Sequence, residues 1–265
     1  MLGEVLGLRG DATASAHTET FLFQLYPYAS VYLGPEGMIG GEARDRVAGF
    51  WRVLGLRPPS EPDHLSALLG LYASVTEAQT EEVDKAQRSL WTQSRRALLW
   101  EHLLSWLPGY LTKLEAIGPL FYRDWGALLK TALVAEQSLL GAIPNLPLHL
   151  RSASGASPIE RNDFTQWLLA PVLSGMLLTR SDLQRAAREL GLGLRKGGRR
   201  FILKSLLSQD VESTLQWLQR EAASWTSHHE SWSPVTGDIA RFHQKQAQRT
   251  VSLLATSMKE GTRPA

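Results

Sequence analysis

With 265 residues, 43% of them apolar, the chain can bury a sizeable core and fill one large domain or two modest ones. A balance of 28 Lys and Arg against 26 Asp and Glu leaves a net charge of +2, too small for nucleic acid or membrane to be held by a global field. The absence of cysteine excludes disulfides, thiolate metal sites and cysteine-ligated clusters, and fits a reducing compartment. Residues 1–17 carry Glu4 and Asp11 and alternate Gly with Leu, unlike the basic and then apolar run of a secretory signal. The longest apolar stretch, Leu168 to Leu178, is interrupted by Pro171, Ser174 and Gly175 and falls short of the ~20 residues a spanning helix needs. A cytoplasmic location is the expectation.

In chain order, Thr18 or Thr20 starts a short helix through Phe21, Leu22 and Leu25 that Pro27 ends. Tyr28 to Leu33 has strand-like residues closed by Gly34-Pro35-Glu36-Gly37 and reads as an ordered loop. Helix resumes from Glu42, with Gly55 as its left-handed end. Pro58-Pro59-Ser60-Glu61-Pro62-Asp63-His64 then reads as a stiff loop entering a buried helix, with Ser60 as cap, Pro62 in the first turn, and Leu65, Leu68, Leu69, Tyr72 and Val75 at helical spacing. Thr80 to Leu107 is predicted as one long helix ended by Pro108-Gly109, followed by Tyr110 to Ile117 and by a helix of about five turns to Leu140. The fold class is all-α.

The prolines and the Ser/Ala/Gly-rich piece between 142 and 158 read as a linker, giving domains 1–141 and 159–265. Beyond it, helices are predicted from Asp163 to Ala170, from Ser181 to Leu190 behind Thr179-x-x-Asp182, through Phe201 to Leu207, from Val211 to Trp225 behind Asp210, and from Asp238 to Met258.

The chemistry-bearing residues sort as follows. His228-His229-Glu230 lacks the second histidine of a zinc-protease helix and reads as a surface helix end. No phosphate loop or nucleophile elbow is present, and a hydrolase built on His64 has neither a nameable nucleophile nor an oxyanion hole. No metal or other cofactor is expected. Glu61, Asp63 and His64 gather at a helix start, where acids also serve as ordinary capping groups, and Asp63 is left free for an outside donor if Glu61 pairs with His64. The basic cluster Arg195-Lys196-Gly197-Gly198-Arg199-Arg200 admits a helix-turn-helix, DNA-binding reading. Against it, Phe201, Ile202, Leu203, Leu206 and Leu207 belong in a core rather than on base edges, which favours a solvated or partner-facing turn.

Three segments in order carry a resemblance. Tyr26-Pro27-Tyr28-Ala29-Ser30-Val31-Tyr32-Leu33, Glu61-Pro62-Asp63-His64, and His102-Leu103-Leu104-Ser105-Trp106-Leu107-Pro108 resemble the TorD/DmsD/NarJ-like chaperones of molybdenum-containing oxidoreductases. The resemblance implies a helical bundle of that type, with residues 159–265 as an additional C-terminal helical region. It also implies a cytoplasmic binding protein without catalysis, whose partner is a molybdoenzyme catalytic subunit or its twin-arginine leader, held until cofactor insertion. By position it implies partner binding by Tyr28, Ser30 and Tyr32 in the loop segment and by Glu61, Pro62, Asp63 and His64 in the hinge. Physically, a leader with paired arginines and an apolar segment needs carboxylates beside an apolar groove. Glu61 and Asp63 would supply the first, and Leu65, Tyr28, Tyr32 and Trp106 the second.

Overall fold

Capping residues and glycines with positive φ divide the chain into helices. The computed structural model describes residues 5–153 and 164–259, and among these there is no β-strand. α1 (Ala14–His17) is capped by Thr13 and widens without a break into a π-helix, Thr18–Gln24. After Pro27 come α2 (Ala29–Leu33), α3 (Gly41–Val53), α4 (Leu65–Glu81) and α5 (Lys85–Ala97), which runs on as a second π-helix, Leu98–Leu103. α6 (Leu107–Ile117), α7 (Leu120–Leu140) and α8 (Leu148–Ala153) complete the first part. The second holds α9 (Phe164–Leu169), α10 (Pro171–Ser174), α11 (Arg180–Glu189), α12 (Arg199–Gln209), α13 (Val211–Ser231), α14 (Ser233–Thr236) and α15 (Asp238–Lys259).

The all-α expectation holds, and four local readings are corrected. Residues 29–33 are a helix rather than a loop, because the amides at its start are satisfied by residues more than thirty positions away, as described below. α4 begins at Leu65 behind His64, so Ser60 does not cap it and Pro62 precedes its first turn. The long helix predicted over 80–107 is broken at Glu82–Asp84, where Asp84 accepts the Ala86 and Gln87 amides and restarts the helix. Pro108 sits in the first turn of α6, where its missing N–H costs nothing, instead of ending a helix. The Thr179/Asp182 capping box and the Gly55 terminus, at φ +74°, are found as predicted. The stretch read as a linker contains α8, while its residues 154–158, like the predicted helix start at Asp163, lie outside the described residues.

Two compact units result. One comprises Met1–Ala12, Pro27–Gly34 and Met38–Arg151, the other Thr13–Tyr26, Pro35–Gly37 and Ser152–Ala265. In the first, a partly buried network joins α4, α5 and α7. Arg95 donates to Tyr72 Oη at 3.1 Å and to Gln79 Oε1 at 3.0 Å, and pairs with Glu136, which also receives the Tyr72 hydroxyl proton. In the second, α13 packs along α15, and the N-terminal segment 13–26 is tied to α11 through Ser181 N–H to Gln24 Oε1 at 2.9 Å and through the Arg180 guanidinium over the Phe23 ring, 5.6 Å from its centroid.

Arg199, at the first position of α12, donates to Leu178 O at 2.9 Å and to Gly37 O at 3.2 Å, so its charge ties three segments of the second unit together. Arg199→Ala is therefore expected to cost about 1.5–3 kcal/mol, as for hydrogen bonds to a charged group, whereas the exposed Lys196→Ala should stay within about 0.5 kcal/mol. Chemical denaturation of both variants checks this; equal midpoints would show that the two carbonyls are satisfied without Arg199.

Candidate functional site

The two motif segments that lie more than thirty residues apart in sequence are joined in the first unit. Tyr28 and His64 form an isolated antiparallel bridge. The Ala29 amide donates to Asp63 O at 3.0 Å, and the Leu65 amide donates to Pro27 O at 2.7 Å. Tyr28, the N-cap of α2, has extended backbone and offers no side-chain cap. The cap comes from across the bridge: Asp63 Oδ2 accepts the Ser30 amide at 3.1 Å. A carboxylate on the second amide of a helix satisfies a donor that would otherwise be orphaned and lies at the positive end of the helix dipole.

The segment 60–64 is held from a second side by α3. Arg44 donates to Ser60 O at 2.9 Å, and Trp51 Nε1 donates to Pro62 O at 3.4 Å. Ser30 passes the contact on, since its Oγ accepts the Gly40 amide at 3.1 Å. Gly40 has φ +102° and leads into α3, a backbone that a side chain would strain. His64 caps α4. Its Nδ1 accepts the Ser66 amide at 3.2 Å, which requires that nitrogen to be unprotonated, and its ring meets the Tyr28 ring edge-on, with centroids 4.9 Å apart. Its ring is therefore bound to Ser66, while only its backbone N–H meets Glu61, at the carbonyl oxygen, 3.2 Å away. Glu61 instead accepts the Tyr28 hydroxyl, and burial followed by that hydrogen bond holds the phenol above its usual pKa.

Exposure separates these residues sharply. Glu61 is exposed, and Tyr28 and His64 are half-buried. Asp63 is 1% exposed, and Ser30 and Pro62 are buried. Tyr32 and Trp106 converge, stacked at 5.1 Å and 10° with Tyr110 edge-on to both, but at 4% and 3% exposure they are core. Leu65 is likewise buried. The accessible part of the predicted constellation is thus Glu61 with Tyr28 and His64.

Sequence reasoning missed a set of buried histidines. His102, in the second π-helix, and His149, in α8, approach at 3.4 Å, and burial first and then each one's charged neighbours lower their pKa values to about 3 and about 4. Leu148 N–H donates to Glu101 Oε2 at 2.7 Å beside them. His229, expected at a surface, is 6% exposed and donates from Nε2 to Gly175 O at 2.8 Å, stacked on His243. Nothing nearby in sequence marks these rings, because His229 is paired with a main-chain atom of a distant segment, and His102 and His149 with each other across 47 positions. Among the described residues, no group of three or more His, Asp or Glu is placed to hold a metal ion. The basic turn offers little for DNA, since Arg199 is engaged with carbonyls and Ile202, Leu203, Leu206 and Leu207 are buried. No helix among the described residues is long and apolar enough to cross a membrane.

The described residues form an all-helical protein in which the two motif segments are bridged within the first unit. Residues 9–111 match the family model described as the nitrate reductase delta subunit, so the resemblance read from the sequence is borne out over that stretch, which holds the Tyr28–His64 bridge. That family is one of molybdoenzyme assembly chaperones. No curated protein and no solved structure gives a significant match.

Proposed function

We propose that the chain is a non-catalytic cytoplasmic chaperone. It binds a molybdenum-containing oxidoreductase subunit, by its twin-arginine leader where it has one, and assists cofactor insertion and assembly before export. The observation that carries this reading is the family match over residues 9–111, which spans both halves of the bridged motif. The binding surface is the face on which Glu61 is exposed beside Tyr28 and His64, with Ser30, Tyr32, Pro62, Asp63 and Trp106 beneath it as support. An exposed carboxylate oriented by a phenol suits a basic segment of a partner, and the half-buried aromatic rings beside it suit that segment's apolar neighbours.

Capture from native cytoplasm tests the reading. The tagged chain, expressed under conditions that induce a molybdoenzyme, should retain that enzyme's catalytic subunit. Retention of duplex DNA instead, lost as salt is raised, would replace the chaperone reading with the DNA-binding one.

A further inference from the structure

The hinge motif contains two acids only two residues apart, and the structure gives them opposite surroundings. Asp63 is 1% exposed, with Oδ2 on the Ser30 amide and its carbonyl on the Ala29 amide. Glu61 is exposed and linked to the neighbouring segment through the Tyr28 hydroxyl. A partner's guanidinium or ammonium group cannot reach a carboxylate that solvent does not reach, unless the Tyr28–His64 bridge opens. We infer that the motif divides its labour: Asp63 is a positioning residue that holds α2 and Tyr28 in place, and Glu61 is the acid that meets a cationic group of the partner.

The consequence of losing each acid differs. Without an acceptor at 63, the Ser30 amide is buried and unpaired, the five-residue α2 loses the side-chain cap that Asp63 supplies, and Tyr28 and the Ser30–Gly40 contact lose their reference point. Without charge at 61, the fold keeps every one of these bonds. Asparagine is the informative replacement at 63, because its side-chain oxygen accepts the same amide while carrying no charge. A positioning role is rescued by asparagine; a charge-contact role is not.

This inference rests on the chaperone reading for its partner, and the test separates the two. Asp63→Asn, Asp63→Ala and Glu61→Gln are compared with wild type by hydrogen exchange over residues 29–33 and by calorimetric titration with a purified molybdoenzyme catalytic subunit. Asp63→Asn is expected to keep amide protection and to bind within about threefold of wild type. Asp63→Ala should lose protection at Ser30 and at least tenfold in affinity, and Glu61→Gln should keep protection while losing about tenfold. A tenfold loss in Asp63→Asn with protection intact, or unchanged affinity in Glu61→Gln, would overturn the division. If wild type binds no such subunit, the chaperone reading fails. The Ser30 amide then still decides for or against Asp63 as the residue that holds α2.

Discussion

Acidification from pH 7 to 4.5 is expected to unfold the protein, well before most carboxylates are protonated. His102, His149 and His229 are buried, and burial, followed by repulsion from neighbouring positive groups, lowers their folded-state pKa values to about 3, about 4 and about 3. The unfolded chain binds these protons near pH 6.5, so below that value the unfolded state holds more protons than the folded one and stability falls as pH falls. Above about pH 7.5, a unit beyond the unfolded value, the three groups are neutral in both states and contribute no pH dependence. The full loss is reached only as pH passes the folded values. Each histidine contributes a slope of about 1.4 kcal/mol per pH unit between these limits, so the three together remove roughly 8 kcal/mol by pH 4.5. That is comparable to the whole stability of an ordinary domain. Glu101 acts in the opposite sense, because burial raises its pKa and folding then gains from its protonation. One carboxyl does not offset three imidazoles. Urea midpoints measured between pH 7.5 and 4.5 check the slope, and His229→Gln should remove about a third of it. A flat profile across that interval would mean that the three rings take up protons without leaving their sites.

Gly175→Ala is expected to lower stability by about 2–5 kcal/mol, or roughly 5–20 °C in melting temperature. Two costs coincide at this residue. Its φ of +68° lies in the left-handed region, and an added Cβ would stand 2.3 Å from Ala247 N and 2.7 Å from His243 O, both main-chain atoms of α15. Main chain in the middle of a helix cannot swing aside as a lysine tip can. The same turn carries two further ties, Thr250 Oγ1 to Ser174 O at 2.7 Å and His229 Nε2 to Gly175 O, so a shift of the turn disturbs both. Gly55→Ala is the control: its φ of +74° belongs to the left-handed turn that ends α3, where Leu56 N–H donates to Trp51 O, but nothing lies within 4 Å of the added carbon, so only the backbone term of about 1–2 kcal/mol is expected. Thermal melts of the two variants read the difference directly. Equal losses would show that α15 yields to the methyl group.

The sequence by itself determined what depends on neighbours along the chain. The absence of strands among the described residues, the Thr179/Asp182 box, the Gly55 terminus and the five-turn helix ending at Leu140 follow from side chains within four residues of the groups they satisfy. The motif segments around Tyr28, Asp63 and Trp106 were legible for the same reason, as short patterns. Their roles were not. The Asp63 carboxylate accepts the Ser30 amide across the Tyr28–His64 bridge, which closes a loop of more than thirty residues and leaves no local trace. The same holds for Tyr32 and Trp106, which become core because Tyr110 closes over them, and for Arg199, whose charge is taken by the carbonyls of Leu178 and Gly37. Local capping and periodicity act over one or two turns, whereas burial and long-range hydrogen bonds depend on which segments tertiary packing brings together; only the folded structure could therefore decide which of two neighbouring acids is left in water.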